Sequence, residues 1–120
     1  MTGRVDEYGR ALLPVSLRHP STGNEITFEA WVDTGFNGDV ILPRGQISAL
    51  GLPIAFGGKA VLADGSEVDL QTYSGQVNWL GGQRSVEVIA NDGQVPLLGV
   101  GLLIGLELRV DYRRGTVSLS

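Results

Sequence analysis

Ala30-Trp31-Val32-Asp33-Thr34-Gly35 is the stretch on which the reading of this chain turns. An apolar run ends in a carboxylate, and a short polar loop, Phe36-Asn37-Gly38-Asp39, follows. A strand that ends this way carries its carboxylate to the floor of a cleft and then turns sharply. Gly35 permits unusual dihedrals and close approach of backbone to a ligand. The Thr34 hydroxyl can fix the loop by hydrogen bonding. The triplet occurs once, and no second Asp-Thr-Gly or Asp-Ser-Gly exists in the sequence. Chemistry that needs two such carboxylates would take the second from another molecule.

Working outward, the flanks read as short strands and turns. Glu25 to Val32 alternates, with Ile26, Phe28 and Ala30 on one face and Thr27, Glu29 and Trp31 on the other. Ala11 to Leu17 is largely apolar and pairs with it around the Ser21-Thr22-Gly23-Asn24 turn, and Pro14 marks an edge or bulged position. Val40-Ile41-Leu42-Pro43 is a short buried strand. Pro43 to Leu50 holds one helical turn, ended by Gly51. Lys59 to Ala63 and Glu67 to Tyr73 flank Asp64-Gly65-Ser66, a strong hairpin signal. Gln76 to Leu80 and Arg84 to Ala90 make another pair around Gly81-Gly82, and Asn91-Asp92-Gly93 is a turn. Val95-Pro96-Leu97-Leu98 ends at Gly99. Val100 to Leu106 is the best helix candidate, weakened by Gly101 and Gly105. Leu108 to Tyr112 and Thr116 to Ser120 form a terminal hairpin. The expected class is all-β with one short C-terminal helix, in one domain spanning residues 1–120.

Composition narrows the chemistry. Cysteine is absent, which removes disulfides, thiolate nucleophiles and zinc-thiolate sites. The single His19 precedes Pro20 and a turn, and reads as a solvated loop histidine, so no histidine metal cluster is expected. A formal charge of −4 disfavours nucleic acid as a partner. Arg109, Arg113 and Arg114 read as the solvated face of the terminal hairpin. No apolar stretch is long enough for a transmembrane helix. The polar, acidic start Met1 to Glu7 argues against a signal peptide, so a cytoplasmic location is expected. Gly57-Gly58-Lys59-Ala60 lacks the first glycine and the hydroxyl of a phosphate-binding loop. Gly99-Val100-Gly101 lacks the spacing and the strand-helix-strand unit of a dinucleotide site. Trp31 and Trp79 read as core or interface aromatics.

Two carboxylates sharing a site cannot both ionise cheaply, so one keeps a proton and the pair titrates as a unit. The charged member can take a proton from a water held between them, while the protonated member polarises a substrate carbonyl. Asp-Thr-Gly alone is also an ordinary turn sequence. What distinguishes it here is an ordered set of features. The chain resembles the retropepsin-like (clan AA) aspartic proteases in four of them: Trp31-Val32-Asp33-Thr34-Gly35 as active-site loop, Val40-Ile41-Leu42-Pro43 as the following strand, Ala63-Asp64-Gly65-Ser66 as the tip of a flap, and Leu97-Leu98-Gly99 with Leu102-Leu103 as the motif that braces the loop. The resemblance covers about residues 10 to 120 and resembles single-domain bacterial members.

That resemblance implies a closed β-barrel or sandwich with a flap hairpin, and an aspartic endopeptidase that needs neither metal nor other cofactor. Asp33 would be the catalytic carboxylate, one from each subunit of a homodimer, and Thr34 would lock the two loops across the axis. Gly35 would contact the backbone of an extended peptide or unfolded protein substrate, and Ala63 to Ser66 would close over it. The N-terminal segment or Thr116 to Ser120 could supply the strands that join the subunits. Two departures stand out. Phe36 occupies a position where the family usually carries a small residue, so its ring would narrow the cleft or wall a subsite. Val100 and Gly101 replace residues that make a polar brace in relatives. The competing expectation is a catalytically inactive peptide-binding or assembly module on the same fold.

Overall fold

A computed structural model describes residues 1–61 and 63–120. Its strands are β1 (Thr2–Val5), β2 (Ala11–Arg18), β3 (Glu25–Val32), β4 (Val40–Pro43), β5 (Ile54–Val61), β6 (Glu67–Trp79), β7 (Gly82–Asn91), β8 (Leu97–Leu98), β9 (Leu108–Asp111) and β10 (Thr116–Leu119). One α-helix, α1 (Arg44–Leu50), follows β4, and a 3-10 turn spans Val100–Leu102.

Strand alternation decides which side chains point inward. Along β3, Ile26, Phe28, Ala30 and Val32 turn toward the interior while the residues between them are exposed. β2 contributes Leu13, Val15 and Leu17 to the same core. The strands run in the order β5-β6-β7-β4-β8-β3-β2-β1-β10-β9, and an additional β6–β2 pairing joins the two arms. That pairing, Leu17 with Val77 and Arg18 with Gln76, closes a six-stranded ring of β2, β3, β8, β4, β7 and β6. The all-β class with a closed, barrel-like sheet therefore holds.

Pro14 explains itself in this topology. β1 pairs with β2 only at Leu12 and Ala11, and β6 takes over only at Leu17. Pro14 sits in the gap, where its second edge has no partner to receive an N–H. Gly75 serves closure: a Cβ there would stand 2.7 Å from Leu17 Cδ1, so the glycine lets β6 cross near the buried leucine.

Several local expectations needed correction. The segments Glu67 to Tyr73 and Gln76 to Leu80 form one 13-residue strand, β6, which pairs with β5 at one end and with β7 and β2 at the other. Two tertiary partners in succession keep it extended across Ser74-Gly75. β5 starts at Ile54, earlier than Lys59, and Ala63 lies in the turn beyond it, while Leu62 lies outside the described residues. The β6–β7 turn is Leu80-Gly81, flanked by the Trp79–Gly82 pair. The expected helix at Val100 to Leu106 is reduced to the 3-10 turn Val100–Leu102, with Gly105 at φ 82° behind it. Helical structure is instead longest in α1, whose end is capped by Gly51 at φ 67°.

The terminal hairpin forms as expected, and the N-terminal strand joins it. β1 lies between β2 and β10, and β10 lies between β1 and β9. Within the chain β10 is paired on both edges, and β1 is paired with β10 and, at Arg4 and Val5, with β2. The edge strands of the sheet are β5 and β9.

Candidate active site

β8 is two residues long, yet it holds the site together. It is inserted between β3 and β4, parallel to the first (Trp31 with Leu97, Val32 with Leu98) and antiparallel to the second (Val40 with Leu98, Ile41 with Leu97). The chain leaves β3, makes the loop 33–39, and returns as β4 one strand further on. Leu98, Val40 and Leu42 are fully buried beneath that loop. The Trp31 N–H donates to Pro96 O at 2.9 Å and the Asp33 N–H to Leu98 O at 2.8 Å.

Gly99 and its neighbours continue the clamp. Gly99 N–H donates to Asp39 O at 2.8 Å, Val100 N–H to Phe36 O at 2.8 Å and Gly101 N–H to Gly38 O at 2.9 Å. Three successive amides thus engage the loop that carries Asp33. Leu98 is brought against Asp33, and Gly99 against Phe36, Gly38 and Asp39, in this way.

Phe36 packs against glycine backbone. A Cβ on Gly38 would lie 2.5 Å from Phe36 Cζ, and one on Gly99 would lie 2.5 Å from Phe36 Cδ2. The ring rests on the backbone of these two glycines and is not among the residues that line the pocket at Asp33. The missing polar side chain at Gly101 is matched by another group. A Cβ at Gly101 would stand 2.2 Å from Asp39 Oδ1, so the glycine makes room for that carboxylate. Asp39 Oδ2 in turn accepts from the Glu87 N–H of β7 at 3.0 Å, and Arg84 Nη2 donates to Gly101 O at 2.7 Å. The polar tie between loop and barrel is present, made by Asp39 and Arg84.

Asp33 is half-buried at the end of β3. Its Oδ1 accepts from the Gly35 N–H at 2.9 Å, and its carbonyl accepts from the Phe36 N–H at 3.2 Å. These two bonds orient the carboxyl group and define the turn. A pocket of about 280 Å³ opens on it, lined by Trp31, Val32, Asp33, Thr34 and Leu97. Four neighbours around one carboxylate, mostly apolar, form a floor suited to extended chain with an apolar side chain nearby.

Trp31 was expected in a core or interface, and Trp79 meets that expectation: it is buried, with Nε1 donating to Leu102 O at 3.1 Å. Trp31 is 41% exposed on the pocket wall. The Arg10 guanidinium lies 5.8 Å from the Trp31 ring centroid and 5.0 Å from that of Tyr8. Arg10 is held by Asp6, whose Oδ2 accepts from Arg10 Nε at 2.7 Å and whose Oδ1 accepts from the Tyr8 and Arg10 amides. Sequence reasoning overlooked this β1–β2 turn. The signal was present in Asp6-Glu7-Tyr8-Gly9-Arg10, an Asp four residues before an Arg with glycine between them.

The tip Ala63-Asp64-Gly65-Ser66 forms a turn as expected, with Gly65 at φ 86°. Asp64 Oδ1 accepts from Ser66 N at 2.9 Å and Ser66 Oγ at 2.6 Å. The Ser66 hydroxyl and amide hold the Asp64 carboxyl below the usual carboxylate range. None of these four residues lines the Asp33 pocket in this structure. His19 is a turn residue: its Nδ1 accepts from the amides of Ser21 and Thr22.

Architecture and site together define a retropepsin-like fold, the fold that the sequence motifs resemble. Solved structures share it. A retropepsin-like aspartic protease from Rickettsia conorii aligns over 99% of this chain and 88% of its own, with a TM-score of 0.63 and 20% identity. The retroviral protease-like domain of Ddi1 from Leishmania major aligns over 91% of this chain and 88% of its own, with a TM-score of 0.53 and 15% identity. No protein-family model matches the sequence, and no curated protein does. Among the described residues no helix is long and apolar enough to cross a membrane.

Proposed function

We propose that this chain is an aspartic endopeptidase that acts as a homodimer, residues 1–120 forming one catalytic domain. The observation that carries the reading is Asp33 itself. It is a carboxylate oriented by the Gly35 amide, at the mouth of a mostly apolar pocket, on a loop tied down by three amides of the Gly99 segment. One subunit supplies one such carboxylate. Two copies facing each other across a two-fold axis would share a proton and hold a water between them. The ionised member removes a proton from that water as it attacks the peptide carbonyl, and the protonated member donates to the carbonyl oxygen. Thr34, beside Asp33, would link the loops across the axis, and Gly35 would contact substrate backbone. The hairpin tip Ala63 to Ser66 would reach the substrate only by closing over it. The fold likeness to a protease supports this reading.

The competing reading is an inactive peptide-binding or assembly module on the same fold, since fold does not imply function. The packing of the Phe36 ring on Gly38 and Gly99, outside the lining of the Asp33 pocket, favours the enzyme. The test is cleavage of unstructured peptides by the purified chain at mildly acidic pH. Wild type is expected to cleave and Asp33→Asn to lose cleavage while keeping its fold. Cleavage that survives the substitution overturns the assignment.

A further inference from the structure

We infer that the cavity beside α1 is a second binding site, for a small carboxylate with an apolar body, and that its occupant holds the base of the β5–β6 hairpin to the barrel. The site stands without the reading above, and only its effect on cleavage rests on that reading. The cavity holds about 340 Å³, within the range of small-ligand sites. α1 supplies Arg44, Ile47 and Ser48, the hairpin supplies Ile54 and Tyr73, and β7 supplies Ala90.

The register of the sheet separates this cavity from the one at Asp33. Trp31 stands beside Leu97, Leu97 beside Ile41, and Ile41 beside Ile89, so all share one face. Trp31 and Leu97 line the Asp33 pocket on that face. Val88 and Ala90 alternate with Ile89 and point the other way, as does Tyr73, the partner of Val88. The two pockets share no lining residue. The hairpin base also carries an irregularity. Ile54 pairs with Tyr73 and Phe56 with Thr72, which leaves Ala55 as an extra residue, a bulge at which the strand bends. β5 is an edge strand, held on one side only. Ile54, on the cavity wall at this bulge, is 59% exposed, an apolar side chain that the fold leaves uncovered.

The lining sets the class of ligand. Ile47, Ile54 and Ala90 are aliphatic, and among the described residues Arg44 is the one charged side chain in the wall. Arg44 donates through Nε to Asp92 Oδ1 at 2.9 Å, and its two Nη atoms have no partner among the described residues. Both side chains of this pair are well exposed, so the pair is weak and leaves the guanidinium able to turn to an anion. A guanidinium fork takes a carboxylate through two parallel bonds. The Ser48 hydroxyl adds a further donor to the wall. One cation in a wall otherwise apolar or neutral matches one negative charge on an apolar body. A phosphate, with more charge and more acceptors, would leave several of them unpaired there. A bound carboxylate touches α1 on one side and the hairpin on the other. It favours the arrangement that keeps them together, and so opposes the swing that closing over a substrate needs.

The probe is phenylbutyrate, with phenylbutanol as its neutral counterpart. Amide chemical shifts and hydrogen exchange are followed on the intact chain, and peptide cleavage is measured on the same samples. Phenylbutyrate is expected to shift the amides of α1, Ile54 and Tyr73 saturably, and to slow exchange in β5 and the facing part of β6 severalfold. Phenylbutanol on wild type, and phenylbutyrate on Arg44→Gln, are each expected to bind about tenfold more weakly. Ser48 is an exposed position of α1, so Ser48→Trp keeps the fold, fills the cavity and is expected to abolish binding. The absence of a saturable shift overturns the site, and so do shifts confined to Trp31, Thr34 and Leu97, which would place the probe at Asp33. Equal binding of the acid and the alcohol overturns the carboxylate class. Binding that leaves exchange in β5 and β6 unchanged overturns the hold on the hairpin. Where wild type cleaves, phenylbutyrate is expected to lower kcat severalfold in wild type and not in Ser48→Trp, and an unchanged kcat overturns the link to hairpin closure. If the probe binds and slows exchange but no peptide is cleaved, the site stands and the endopeptidase reading fails.

Discussion

Phe36 and Gly99 are matched surfaces: the ring of one lies where a Cβ of the other would stand, 2.5 Å from Phe36 Cδ2. The same Cβ would meet Gly38 O at 2.2 Å and Phe36 O at 2.7 Å, so backbone as well as ring requires the glycine.

Gly99→Ala is therefore expected to displace the loop 33–39 and to destabilise by about 1–3 kcal/mol, the range for overpacking. Adding Phe36→Ala should not rescue it, because the Gly38 carbonyl still blocks the methyl. Urea denaturation of the single and double variants checks this. Full recovery in the double variant would show that the ring alone demanded the glycine.

Asp39→Ala removes the acceptor of the Glu87 amide and costs about 1 kcal/mol. Because Asp39 closes the loop that begins at Asp33, the larger effect is expected on turnover. A small displacement of a reacting group lowers kcat by roughly ten- to a hundredfold, with KM little changed. Asp39→Asn retains an acceptor oxygen and should recover most of the rate. Steady-state kinetics on a peptide substrate separates this positioning role from a general loss of fold.

The pH dependence of stability should carry a contribution from Asp6. Burial of its carboxyl, 7% exposed, opposes ionisation. The Arg10 amide, the Arg10 guanidinium and the Tyr8 amide outweigh that effect and lower the pKa. A lowered folded value means that the ionised group stabilises the fold above the unfolded carboxylate's pKa, about 3.9. That stabilisation is lost as pH falls through the lower, folded value. The difference in urea midpoint between wild type and Asp6→Asn is expected to be largest near neutrality and to shrink below about pH 4. A difference independent of pH would exclude the linkage.

Leu80 adopts φ 48° beside Gly81 at φ 83°, in the two-residue turn between β6 and β7. Both central residues have positive φ, the condition of a type I′ hairpin turn, and leucine is poorly suited to it. Leu80→Asn is expected to stabilise by roughly 0.5–1 kcal/mol, since asparagine adopts this region at lower cost. Thermal denaturation should show a raised Tm; a lowered one would mean that the Leu80 side chain contributes packing that outweighs the strain.

Local chemistry made several elements legible. β3 could be read from its period of two, α1 from the glycine that ends it, and the hairpins at Asp64-Gly65 and Arg113-Arg114-Gly115 from their turn residues. Asp33-Thr34-Gly35 and Leu97-Leu98-Gly99 could be singled out because each joins an apolar run to a glycine. The length of β6 could not be read, because Ser74-Gly75 looks like a turn until β2 and β7 flank it. Nor could the helix at Val100, where two glycines weaken helix propensity and bonds to the loop 33–39 leave only a 3-10 turn.

The sequence by itself determined an all-β chain, its strand faces and a single Asp-Thr-Gly triplet, because side-chain alternation and turn chemistry act within a few residues. The tertiary structure alone decided that β8 lies between β3 and β4, that Phe36 turns onto two glycines, and that Asp39 and Arg84 make the tie to the barrel. It also decided that the chain's two ends pair with each other. These are relations between residues tens of positions apart, set by which backbone edges and cavities the folded sheet leaves open.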